Sequence, residues 1–139
     1  MLTNRQISLV ESSWSFILHN ANDVGIIFYA KLFEIDPGLR RMFKGDMNSQ
    51  SQKLVDMITF AVHKLDNIDA MVADIKELGI KHKENAVQLE HYQTVAQTLL
   101  WTLEKTLGRH WDEETKNAWA TVYDLLSKTM IEGAQEVRR

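Results

Sequence analysis

Cysteine is absent from the 139 residues. Its absence removes disulfides, thiolate nucleophiles, zinc–thiolate sites and iron–sulfur clusters at once. Proline occurs once, at Pro37, and glycine six times. Runs of Val, Ile and Thr with period-two alternation are missing too, so little speaks for strands. No segment approaches the roughly eighteen uninterrupted apolar residues of a membrane-spanning helix. The opening "MLTNRQISLVESSW" has no apolar run that would serve as a secretory signal. Charge is extreme in neither direction: 16 Lys and Arg stand against 19 Asp and Glu, for a formal net charge of −3. That balance offers no basic surface to nucleic acid or to an anionic membrane. We therefore expect a cytoplasmic chain that engages neither. What is present is 45% hydrophobic residues, enough for a real core, in a length that fits one domain spanning 1–139.

The hydrophobic residues recur with helical period. A first helix carries Ile7, Val10, Trp14, Ile17 and Leu18, opened by a capping box of Thr3 and Gln6 and punctuated by Asn20 and Asn22. The second, "DVGIIFYAKLFEI", is apolar almost all round and stops before Pro37, which disfavours helix in the residue preceding it. "PGLRRMFKGDMNS" reads as an irregular corner. A third helix follows with Leu54, Ile58, Ala61, Val62 and Leu65. "DNID" caps a fourth with Met71, Val72, Ile75 and Leu78. The fifth has Tyr92, Val95, Leu99, Leu103 and Leu107 and ends at Gly108. Asp112 caps the sixth, whose stripe is Trp119, Val122, Tyr123, Leu126, Met130 and Gly133. The expectation is an all-α domain.

Five histidines allow a test of direction, because each helical residue advances about 100°. His19 and His63 fall far round from their apolar stripes, His110 sits in a loop, and His91 lies on a flank beside Tyr92. His82 differs. It follows Ile75 by seven residues and Leu78 by four, in the middle of the apolar face, with Lys81 and Lys83 at its edges. An inward histidine is either a core residue bonded to a carbonyl or a ligand. One histidine is too few for zinc, which takes about three or four protein ligands. No H-E-x-x-H or facing Glu-x-x-His pairs suggest a di-iron bundle. Haem iron needs a single protein ligand, since the porphyrin supplies the rest.

If His82 holds iron, a facing helix should wall the other side. Leu54 lies on the third helix's apolar face, with Gln50 one turn earlier, while Gln52 points elsewhere. Tyr29 falls in the apolar second helix, either bonded to a carbonyl or available to a bound ligand. Phe43 either packs on a porphyrin or belongs to the core. Lys53 is either solvated or paired with a propionate.

Taken in order, Pro37, Phe43, Gln50, Leu54, Leu78, His82, Val87 and Tyr92, with Trp14 and "AWATVY" in the outer helices, resemble the globin family. Tyr29, Gln50 and "KHKENAVQLEHYQTV" are most similar to bacterial single-domain haemoglobins of the flavohaemoglobin-like lineage. The resemblance spans essentially the whole chain and implies a globin fold, a three-over-three helical sandwich around one haem b (iron protoporphyrin IX) held non-covalently. It makes His82 the proximal iron ligand and Phe43 the haem-packing residue. Tyr29 and Gln50 become the distal polar pair, with Leu54 as apolar wall. Val87 and Tyr92 line the proximal side, and Leu78 and Lys53 complete the contacts. We expect no counterpart of the lineage's reductase domain, since the sequence ends soon after the sixth helix. The lineage's late proximal glutamate is absent, with Ala134 in that place, Glu132 turned away and Glu136 on the flank.

The resemblance further implies reversible binding of oxygen, carbon monoxide and nitric oxide. A donor aimed at a charged acceptor contributes about 1.5–3 kcal/mol, and about 1.4 kcal/mol is tenfold in affinity, so Tyr29 and Gln50 imply tight oxygen binding. An amide is a poor iron ligand, so the sixth position should be open or water-bound. Nitric oxide dioxygenation with a reductase in trans is the alternative. A haem-free helical interaction module is a third reading.

Overall fold

The computed structural model describes residues 2–20, 23–43, 45–84 and 87–136, with the side chains of 84 and 136 excepted. Among them the α-helices are α1 (Asn4–Asn20), α2 (Val24–Ile35), α3 (Met47–His63), α4 (Val72–Glu84), α5 (Leu89–Leu107) and α6 (Glu113–Glu136). No strand occurs among the described residues, as the missing period-two pattern predicts. None of these helices is long and apolar enough to cross a membrane.

The helix ends follow local chemistry. Thr3 Oγ1 accepts the Gln6 amide and Gln6 Oε1 accepts the Thr3 amide, both at 3.0 Å, which is the expected capping box. Asp46 accepts the Ser49 amide ahead of α3, and Asp112 accepts the Thr115 amide at 2.7 Å ahead of α6. That amide holds the Asp112 carboxyl below its usual range. Two boundaries and one face assignment differ from expectation. The corner after α2 is ordered as a 3₁₀ helix, Pro37–Met42, opened by the Asp36 carboxylate on the Gly38 amide. "DNID" is no simple cap: it lies within a second 3₁₀ stretch, Leu65–Met71, bent at Asn67, so Met71 precedes α4. Leu18 is 41% exposed, because Val10, Trp14 and Ile17 already define the inward face. Asn22 lies outside the described residues.

α1 packs on α6 and α3, α2 lies against α3 and α5, and α4 runs along α6. Two tryptophans pin the first of these contacts. Trp14 and Trp119 meet edge to face at 6.0 Å. Their buried indole N–H groups are satisfied by Thr59 Oγ1 at 3.0 Å and Ser13 Oγ at 2.8 Å.

Two other crossings require glycine. A Cβ on Gly79 would collide with the Met130 carbonyl, its carbon only 2.5 Å away, and one on Gly133 would lie 2.5 Å from the Lys76 carbonyl oxygen. These reciprocal contacts set α4 backbone to backbone on α6, in antiparallel register. At α2 and α3, a Cβ on Gly25 would come within 2.7 Å of Ser51 Cβ. Ser51 Oγ is sealed there without a hydrogen-bond partner. Ser51→Ala removes that orphan and should leave stability unchanged or raise it by about 1 kcal/mol. A clear fall in the denaturation midpoint would show that the hydroxyl has a partner.

Candidate functional site

Between α2, α3 and the corner on one side and α4, α5 and α6 on the other lies an apolar cavity of about 590 Å³. That size suits a cofactor-sized ligand. His82 lines it, in the phase set by Ile75 and Leu78, which also line it. Phe43, Leu54, Val87 and Tyr92 complete a set of expected residues that the fold brings to one wall or the other. Val87 reaches its place because its amide donates to the His82 carbonyl at 2.9 Å, closing the end of α4. Tyr92 lies 6.1 Å from the His82 ring, inclined at 60°.

The electrostatics of His82 follow from burial, which lowers its pKa from the ordinary 6.5. The ring is therefore neutral near pH 7, the state in which imidazole binds metal. Its Nδ1 is buried and has no hydrogen-bond partner. Because Nδ1 is sealed in the wall, Nε2 is the nitrogen left for the cavity. Among the described residues no group of three or more His, Cys, Asp or Glu could hold a metal ion. A metal at His82 must therefore arrive with most of its donors, which is what a porphyrin does.

Other expected residues are placed differently. Tyr29 is buried but stands one layer behind the cavity wall, with its ring 5.2 Å from both Phe28 and Phe43. Burial raises its hydroxyl pKa to about 12, so it keeps its proton. Gln50 sits in the first turn of α3 and lines an adjoining, more polar cavity that shares Phe43, Val87 and His91 with the main one. Lys53 is exposed and lines neither cavity. Arg41, not singled out from sequence, and His91, read there only as a flank residue beside Tyr92, line the polar cavity instead. His91 Nδ1 also accepts the Gln88 amide at 2.9 Å, opening α5. Met42, Trp119, Val122 and Met130 line the main cavity as well, and the helical stripes of α6 already carried the last three. Ala134 is half-buried and brings no carboxylate, Glu132 is exposed, and the Glu136 side chain lies outside the described residues.

The family model described as Globin matches residues 26–130. The chain is a globin. Its fold is the three-over-three helical sandwich, and globins bind haem. This globin is 29% identical to the anaerobic nitrite reductase HBII of Casuarina glauca, over 89% of this chain and 87% of that one. Among solved structures it matches a bacterial globin from Campylobacter jejuni with a TM-score of 0.82 at 25% identity, covering 98% of this chain and 99% of the other. An engineered carbene transferase, described as a proposed nitric oxide dioxygenase from Rhodothermus marinus, aligns with a TM-score of 0.87 at 25% identity. That alignment covers 99% and 96% of the two chains.

Proposed function

We propose that this globin forms one domain over 1–139, holds haem b non-covalently with His82 as its one protein iron ligand, and reversibly binds oxygen, carbon monoxide and nitric oxide in the cytoplasm. The observation that carries the reading is the buried, neutral imidazole of His82 on the wall of an apolar cavity; the other histidine there, His91, has its Nδ1 engaged by the Gln88 amide, and no multi-residue metal cluster occurs among the described residues. Haem, when bound, supplies the iron coordination position at which diatomic gases bind. The chain supplies the surroundings. Phe43 and Leu54 exclude water on one side, and Leu78, Val87 and Tyr92 on the other. Arg41 and His91, on the polar cavity, are better placed than exposed Lys53 to meet the carboxylates of a porphyrin edge.

Tyr29 retains its proton, and with a shift of the Phe43 ring packed against it the hydroxyl can donate to a polarised ligand, with Gln50 as second donor from the adjoining cavity. Such donors favour high oxygen affinity. We expect Tyr29→Phe to speed oxygen dissociation by about tenfold or more, the equivalent of one charge-assisted hydrogen bond. An unchanged off-rate in stopped-flow displacement would remove Tyr29 from this role.

The deciding experiment is an absorbance spectrum of the purified protein, oxidised, reduced and with carbon monoxide. One haem per chain with an open or water-bound sixth position is expected. A low-spin oxidised spectrum carrying a second protein ligand, or failure to take up haem, would overturn the reading. The likeness to the R. marinus protein favours a second activity: conversion of nitric oxide and oxygen to nitrate, with electrons from a separate reductase. Multiple turnovers on addition of a reductase would establish it, and a single turnover would exclude it.

A further inference from the structure

The second nitrogen of His82 is the feature the proposed function leaves unused. Nδ1 is buried and unpartnered. None of the groups that share its cavity reaches it with a hydrogen bond. The Tyr123 hydroxyl donates to the Tyr92 carbonyl at 2.8 Å. The His82 carbonyl is taken by the Val87 amide. Tyr92 presents an inclined ring. Asp74, Glu77 and Lys81 of α4 also line the cavity, yet none bonds Nδ1. The close α4–α6 backbone contacts at Gly79–Met130 and Gly133–Lys76 bring no carboxylate from α6.

An Nδ1–H that donates to an acceptor raises the basicity of the metal-binding nitrogen. Without that bond the imidazole is a weaker donor. A second observation adds to the first. α4 is locked on α6 by the Gly79–Met130 and Gly133–Lys76 backbone contacts. The histidine therefore has little freedom to follow a metal that moves away from it.

We propose that His82 is a weak, fixed iron anchor that nitric oxide releases while carbon monoxide does not, which makes the chain able to tell these gases apart. The proposal rests on His82 being the iron ligand. Its chemistry is general: nitric oxide weakens the bond opposite to it on a metal, and an unassisted imidazole that cannot follow the metal is the bond that gives way. No net oxidation or reduction is involved. The iron–nitrogen bond breaks, and the lone pair stays on Nε2.

The test uses the reduced, haem-loaded chain with nitric oxide. Electron paramagnetic resonance should show loss of the axial imidazole's nitrogen splitting, while the carbon monoxide complex keeps its histidine. Full retention of that splitting with nitric oxide overturns the proposal. A resonance Raman iron–histidine band tests the underlying assignment separately. It should vanish in His82→Gly and return with added imidazole. A band that persists in His82→Gly means another residue is the ligand.

Discussion

His82→Ala should abolish tight haem retention while leaving the helical fold in place. Loss of a partner that merely supports a metal ligand costs about 10–100-fold in affinity, so loss of the ligand itself should exceed about 100-fold. The side chain faces an existing cavity, and its Nδ1 contributes no hydrogen bond to the fold. Truncation therefore removes few packing contacts. Circular dichroism of the haem-free variant should match that of the parent, while absorbance titration shows haem bound weakly and displaced by competing apo-globin. Stoichiometric binding with an unchanged dissociation rate would move the iron ligand elsewhere in the cavity.

Gly79→Ala should destabilise the protein by about 3 kcal/mol, the upper end of what overpacking a tight contact costs. Two effects oppose each other at this position. Alanine in a helix interior is favoured over glycine by about 1 kcal/mol. Against that, the new methyl would overlap the Met130 carbonyl, with the carbonyl carbon at 2.5 Å. The obstacle is backbone, which cannot rotate aside as a side-chain tip can, so α4 and α6 must separate. The steric term wins, and the thermal midpoint should fall by roughly 10 °C for a domain of this size. Because α4 carries His82, separation should also weaken haem retention. A midpoint within a degree of the parent would show that the two helices do not touch there.

These two residues also mark what can be read from a one-dimensional pattern. His82 was legible because helical phase is local. Ile75 and Leu78 define an inward face, and a residue four or seven positions on must share it whatever the partner helix is. The same logic put Leu54 on an inward face and Tyr92 in an apolar stripe, the ordered family pattern added Phe43 and Val87, and all four line the cavity. Gly79 lay in the same inward region, yet nothing within α4 says that a carbonyl of α6 will press on it. An isolated glycine inside a helical pattern signals a close packing partner without naming it.

Depth and reach were likewise not legible. Tyr29 is buried on α2 but does not line the cavity; its ring packs 5.2 Å from Phe43, at the end of the Pro37–Met42 corner, which does. Gln50 and Lys53 share one helix, yet only Gln50 reaches a cavity. Arg41 and His91 come to the same polar cavity from segments far apart in the chain.

Composition and periodicity by themselves determined the all-helical class, the inward direction of His82 and, from the absence of cysteine, the exclusion of thiolate chemistry. These depend only on residue types and on the fixed turn of a helix. The tertiary structure decided the glycine-locked crossing of α4 on α6, the two-cavity layout and the unpartnered Nδ1 of His82. Each of these depends on which backbone and side-chain atoms come within a few ångströms across helices, and that is set by packing the whole chain at once.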